Sequence, residues 1–240
     1  MDNIVGRLQS AFPSHQLDVI IGSLLGDVRL ECRSKGIRAS YTARLRVHHG
    51  DKQKEYVWWK YKMLKDLVSK EPREISWLNK KRNLKEVSWY FHTKSLKNFG
   101  IIHEIFYKNG VKKFPTEILP IFSDQMLAVW YMDDGSNNGG DITLNTHSFS
   151  FEDQKVIADF LKEKYHLHPT IVKDRNQWKI AIGRNDYTRF ISIVTPFIPE
   201  VMNYKIDNPR IDLSSKIDRV LAEEAGANTS VLEVENLEKV

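Results

Sequence analysis

Leu17, Ile20, Ile21, Leu24 and Leu25 recur at helical spacing, which predicts an apolar helix over Gln16 to Leu25 running into Gly26-Asp27. From Ile37 to Val47 the period becomes two. Ile37, Ala39, Tyr41, Ala43, Leu45 and Val47 point one way, and Arg38, Ser40, Thr42, Arg44 and Arg46 point the other. This alternation predicts a strand with one core face and one basic face. A helix is expected over Glu55 to Lys70. Strands are expected over Glu74 to Leu78 and Glu86 to Thr93, flanking the basic loop Asn79-Lys80-Lys81-Arg82-Asn83, and a helix over Leu96 to Tyr107 closes the series.

The second half repeats that order. Ser123 is placed to cap a helix over Asp124 to Met132 that runs into Asp133-Asp134-Gly135, and the turn-rich Ser136-Asn137-Asn138-Gly139-Gly140 leads to a strand over Asp141 to Ser148. Ser150, with Glu152 and Asp153 in the first turn, starts a helix over Phe151 to Tyr165. Strands over Thr170 to Asp174 and Gln177 to Ile182 join through Arg175-Asn176, and a helix follows over Asp186 to Val194. Asp27 and Asp134 lie 107 residues apart, close to half the chain, so the repeated order predicts an internal duplication with a pseudo-two-fold axis. The expected fold class is α+β, with halves at 1–110 and 111–217 and an acidic tail at 218–240.

Composition narrows the classes. In 240 residues, 41% are hydrophobic and 11% aromatic, enough to fill a core. A single cysteine, Cys32, excludes an intramolecular disulfide and cysteine zinc sites, and fits a reducing, intracellular compartment, an organelle or a prokaryotic cytoplasm. No apolar run approaches the ~18 residues of a membrane span, and the first residues lack signal-peptide character. The net charge of +5 conceals an asymmetry. Residues 218–240 hold six acids and two bases, leaving 34 basic against 25 acidic residues before them, a net +9 that points to a polyanionic partner. Disorder is the expectation beyond about Ala225.

The matched helices carry the candidate chemistry. Gly22, Ser23, Gly26 and Ala128 are small enough for close helix packing. Two such helices packed about a two-fold would bring Asp27 and Asp134 together, and two carboxylates at the negative ends of two helix dipoles call for a cation between them. Carboxylates, carbonyls and waters suit Mg²⁺. Read singly, Asp27 is an ordinary helix-end carboxylate and Asp133-Asp134-Gly135 a turn; their matched placement is what argues for function. His48-His49 beside Asp51 reads as a polar surface loop. Trp58, Trp59, Trp77, Trp89, Trp130 and Trp178 read as core or half-buried aromatics. No nucleophile elbow, Walker A loop or dinucleotide fingerprint is present.

Ile20-Ile21-Gly22-Ser23-Leu24-Leu25-Gly26-Asp27 and Leu127-Ala128-Val129-Trp130-Tyr131-Met132-Asp133-Asp134-Gly135 resemble the two degenerate motif copies of the LAGLIDADG homing endonucleases. Lys112-Lys113-Phe114-Pro115, Leu144-Asn145-Thr146-His147-Ser148-Phe149 and Ile198-Pro199-Glu200-Val201-Met202-Asn203-Tyr204-Lys205 resemble its monomeric, two-motif (I-SceI-like) branch. Departures are Val28 for the closing glycine of the first copy, and Leu25 and Met132 for the first aspartate. The resemblance implies a monomer of two αββαββα halves whose antiparallel sheets form a saddle over double-stranded DNA, with the motif helices between them. It implies hydrolysis of both strands of a long site, leaving short 3′ overhangs, in service of host intron or intein mobility. Asp27 and Asp134 would hold Mg²⁺, helped by carbonyls of Gly26 and Asp133. Mn²⁺ would substitute, and Ca²⁺ would bind without supporting cleavage. Lys205 and one of Lys112 or Lys113 would act beside the scissile phosphates.

Within such a fold the DNA-reading candidates of the first half are Arg38, Ser40, Thr42, Arg44, Arg46, Lys80, Lys81, Arg82, Tyr90 and His92. Those of the second half are Thr143, Asn145, His147, Lys173, Arg175, Lys179 and Arg184. The rival reading is a silent DNA-binding relative, or a maturase acting on host intron RNA.

Overall fold

A computed structural model describes residues 4–32, 34 and 40–207. Arg38 and the acidic tail lie outside the described residues, and with them the expectation of disorder. The chain begins with α1 (Ile4–Ala11), which periodicity did not single out, and α2 (Ser14–Leu25), the first motif helix. The first sheet follows: β1 (Arg29–Cys32), β2 (Ala43–Gly50), then α3 (Lys54–Met63), β3 (Arg73–Asn79) and β4 (Leu84–His92). Next come α4 (Lys97–Phe106) and a small ladder of β5 (Tyr107–Lys108) with β6 (Val111–Lys112). The second motif helix is α5 (Asp124–Asp134), and it opens the other sheet: β7 (Gly135–Asn137), β8 (Ile142–Leu144), α6 (Phe151–Tyr165), β9 (Thr170–Asp174) and β10 (Gln177–Ile182), closed by α7 (Arg184–Val194).

The two four-stranded antiparallel sheets have strand orders β1-β2-β4-β3 and β7-β8-β10-β9, the same topology in each half. That identity of order is the internal repeat. Each sheet buries one side against helices, with Leu45, Val47 and Phe91 in the first and Leu144, Ile180 and Ile182 in the second, while alternate residues face solvent. Ser123 caps α5 by accepting from the Met126 amide, and Ser150 with Asp153 forms a full capping box on α6.

Several expected boundaries move, each for a reason of pairing. The alternation from Ile37 does not become one strand. β1 pairs only as far as Cys32 with Ala43, and before Ala43 the chain is a 3-10 turn over Ser40–Thr42 whose Thr42 hydroxyl accepts from the Ser34 amide. Tyr41 is therefore exposed instead of core. At its other end β2 runs on through His48 and His49, so neither is in a loop. α3 stops at Met63 and a 3-10 turn over Lys65–Leu67 follows. β8 stops at Leu144, because Asn145 turns to give its amide to the Asp134 carbonyl. Residues 135–137, expected as turn, pair with β8 as β7. Trp77 is 44% exposed, unlike the other tryptophans.

Candidate active site at the helix ends

α2 and α5 pack against each other through glycine. A Cβ at Gly22 would lie 2.6 Å from the Met126 carbonyl oxygen and 2.7 Å from the Val129 Cβ, and one at Gly26 would lie 2.4 Å from the Asp133 Cβ. No side chain fits at either position, so the helices meet backbone to backbone and their C-terminal ends stay together.

Asp27 and Asp134 follow these contacts. Asp27 is exposed and Asp134 half-buried. Burial, then the charge of Asp27, then that of Asp133, raise the Asp134 carboxyl to about 8, the direction a nearby cation would reverse. Lys112 donates to the Gly26 carbonyl at 2.9 Å and Lys205 to the Gly135 carbonyl at 2.6 Å, which sets one ammonium at the end of each motif helix. Burial lowers the pKa of both lysines, against the pull of Asp27, Asp133 and Asp134. Lys205 is itself fixed: its carbonyl accepts from the Tyr131 hydroxyl at 2.5 Å and from Asn137 Nδ2 at 3.1 Å. Lys113 points elsewhere, toward Glu117 at 3.8 Å, so of the two neighbouring lysines the structure brings Lys112 to the acids.

Asp133 has a separate role. Its carboxylate is fully buried and takes both oxygens to Lys60 Nζ of α3, at 2.7 and 2.8 Å. The Tyr56 ring lies 4.6 Å from that ammonium, and His49 Nε2 is 3.3 Å from it. Asp133 thus has only its backbone carbonyl to offer a metal. Sequence reasoning missed Lys60 and the inward turn of His49. The available signal was that Asp133 stands where the first motif copy has Gly26, an acid at a contact position that then requires a buried cation.

Among the described residues no group of three or more His, Cys, Asp or Glu side chains is arranged to hold a metal ion. A metal at the helix ends would be held by two carboxylates and by oxygen from backbone, water and substrate. An all-oxygen donor set with few protein ligands fits Mg²⁺, which keeps most of its waters.

The solvent face of the first sheet carries Arg44, Arg46, Tyr90 and His92, together with Arg29 and Glu31 of the unexpected strand β1. Glu31 gathers Arg46 at 2.9 Å, Arg29 at 3.0 Å, Arg44 at 3.2 Å and His92 at 3.4 Å. Partial burial raises its pKa, but hydrogen bonds from Arg46, Arg29 and Arg44 outweigh this and hold it at about 2. These cations are thereby pre-arranged on the face. Lys80, Lys81 and Arg82 form the exposed β3–β4 turn. Ser40 and Thr42 belong to the 3-10 turn instead of the strand. On the second sheet Thr143 and Lys179 face solvent, Lys179 pairing with Asp174 at 3.0 Å, and His147 joins Asp174 at 3.3 Å. Asn145 follows β8 directly. Lys173 does not share that face: it stands opposite Trp178, whose ring packs on Phe151 of α6, and so lies on the helix side. Arg175 occupies the hairpin turn with φ 56°, and Arg184 opens α7, its guanidinium over Gly140.

This arrangement defines a two-sheet protein with paired acids on its central helices. Residues 17–190 match the LAGLIDADG DNA endonuclease family, and the chain belongs to it. The DNA endonuclease I-ChuI of Chlamydomonas applanata is 29% identical over 210 residues, spanning 80% of this chain and 94% of that one. The cytochrome b mRNA maturase bI2 of Debaryomyces hansenii is 27% identical over 200 residues, spanning 80% and 73%. The structure of the homing endonuclease I-WcaI bound to its DNA recognition sequence shares the fold at TM-score 0.73 and 23% identity, covering 85% of this chain and 92% of that one. Among the described residues no helix is long and apolar enough to cross a membrane.

Proposed function

We propose that this protein is a monomeric, site-specific homing endonuclease that hydrolyses both strands of a long double-stranded DNA target, with Mg²⁺ held by Asp27 and Asp134, inside an organelle or prokaryotic cytoplasm. The observation that carries the reading is the meeting of two acids at the ends of two glycine-packed helices, each end also holding a half-buried lysine. A divalent cation there would activate water and offset charge on the phosphates. The chain's own residues divide the remaining work. The Gly22 and Gly26 contacts fix the spacing of the two carboxylates. Lys112 and Lys205, partly desolvated and anchored to carbonyls, present positive charge where negative charge would build on the phosphates in the pentacoordinate transition state. The arginine cluster around Glu31, with Lys179, Thr143 and the β3–β4 turn, would bind backbone and base edges of the duplex.

The test is a cleavage selection in which protein, a randomised duplex library and Mg²⁺ are incubated, with Ca²⁺ as control, and cut ends are sequenced. Defined ends in Mg²⁺ alone are expected. Protection without cutting would overturn the nuclease reading. The similarity to a cytochrome b mRNA maturase favours one second reading, binding of host intron RNA, which a pull-down with that RNA would examine.

A further inference from the structure

β3 is the outer strand of the first sheet, and every residue from Arg73 to Leu78 is exposed, so strand and hairpin stand beyond the helix layer as a two-stranded ribbon. At a rise of about 3.3 Å per residue the ribbon is roughly 23 Å long. Register places Ile75 opposite Ser88, Trp77 opposite Glu86 and Leu84 opposite Asn79, on the face that continues from Arg46, His48 and Tyr90. Ile75 is 36%, Trp77 44% and Leu84 60% exposed. Three large apolar side chains thus stand partly in water on a cation-rich face, an exposed apolar patch of the kind that marks an interaction surface.

Charge selects the occupant. The ribbon also carries Arg73, Lys80, Lys81, Arg82 and Lys85 against two acids: Glu74, which stands on the opposite face across from Trp89, and Glu86, engaged by Asn79 at 2.6 Å and Arg82 at 4.0 Å. A second copy would set these cations against one another, whereas a polyanion complements them. The major groove of B-DNA admits a two-stranded ribbon, and the thymine methyl is the apolar group its base edges present there. We propose that Ile75, Trp77 and Leu84 are specificity-determining residues that read thymine methyl groups in the part of the DNA site under the β3–β4 ribbon, with the basic turn anchoring flanking phosphates. The proposal rests on the endonuclease reading above.

The experiment takes the site recovered by the cleavage selection and replaces each of its thymines singly with deoxyuridine, which lacks only the methyl. Binding is measured in Ca²⁺ for the wild type and for Trp77→Ala, Ile75→Ala and Leu84→Ala, each checked for folding by circular dichroism. At one or more positions within one half-site, deoxyuridine should weaken wild-type binding about fourfold, as expected for one buried methyl-sized group. That penalty should vanish in at least one variant. Indifference to deoxyuridine throughout, or penalties that persist in all three variants, overturns the proposal. So does a wild type that sediments as a dimer and becomes a monomer in Trp77→Ala with unchanged thymine preference. Wild-type cleavage of the unmodified duplex in the same series separates failure of the endonuclease reading, no cut at any site, from failure of methyl reading, a cut site with no methyl dependence.

Discussion

Lys60→Met offers the sharpest check on how the two halves are held. The Lys60 ammonium and the Asp133 carboxylate are both fully buried, one in each half, 2.7 Å apart. Burial lowers the pKa of Lys60 and raises that of Asp133, and their mutual attraction opposes both shifts. His49 does not supply a substitute charge, because burial and then the Lys60 charge hold its imidazole down at about 3. Removing Lys60 therefore leaves a carboxylate with no cation, which costs about 3–5 kcal/mol for a buried pair. For a chain of this size that corresponds to a fall in Tm of roughly 10 °C. The double variant Lys60→Met/Asp133→Ala removes both charges and should recover more than half of the loss, an interaction readable as a double-mutant cycle in urea unfolding. A Lys60→Met protein within about 1 kcal/mol of the wild type, or a double variant no more stable than the single, would refute the reasoning.

Asp27→Asn and Asp134→Asn should abolish cleavage and Ca²⁺ binding by calorimetry while duplex affinity stays within a few-fold, since neither residue lies on a sheet face. Lys112→Ala and Lys205→Ala should slow single-turnover cleavage by about 100-fold with little loss of binding in Ca²⁺, whereas Lys113→Ala should leave both unchanged; equal loss of rate and affinity would mark Lys112 and Lys205 as phosphate anchors only. In metal-free protein the sign of the pH dependence follows from Asp134: between about pH 4 and 8 the folded carboxyl, at about 8, retains a proton that the unfolded one has lost, so stability should fall as pH rises through this window, and Asp134→Asn should lack that fall in thermal melts. Ca²⁺ should bind more tightly to the protein–duplex complex than to free protein in titration calorimetry, and equal affinities would argue against a site shared by metal and phosphate.

The parts legible in the sequence are those whose own pattern is sufficient. The α6 helix and the β9 and β10 strands fall on the expected residues, because a capping box and a tight hairpin are local signals. Both motif helices were visible from their apolar spacing and terminal acids. β1 and β7, four and three residues long, were not, since strands that short are specified by the partner they pair with. Within the expected Ile37 to Val47 strand, described from residue 40 onward, the 3-10 turn over Ser40–Thr42 precedes the pairing with β1, which begins at Ala43. Glu31 and Arg29 went unread with it. Lys60 gave no local sign either: in Lys-Glu-Tyr-Val-Trp-Trp-Lys-Tyr-Lys-Met one lysine looks as solvated as the others, and only the fold turns it toward Asp133.

Charge balance explains why the halves diverge at the centre instead of repeating each other. The helix ends gather three carboxylates, Asp27, Asp133 and Asp134, and three ammoniums, Lys60, Lys112 and Lys205. Fully ionised, that cluster is neutral, yet the pairs are not equivalent. Lys60 pairs with Asp133, whereas Lys112 and Lys205 bond carbonyls and leave Asp27 and Asp134 facing each other; burial first and then the Asp27 charge raise the Asp134 carboxyl to about 8. A dication alone would overcharge the site and two phosphates alone would repel its acids, whereas both together would leave it neutral, with Asp27 and Asp134 as the residues to hold the cation. The Asp133–Lys60 pair, by being closed off from solvent, keeps a third carboxylate from weakening that balance, and Gly26 opposite it is the space the arrangement requires.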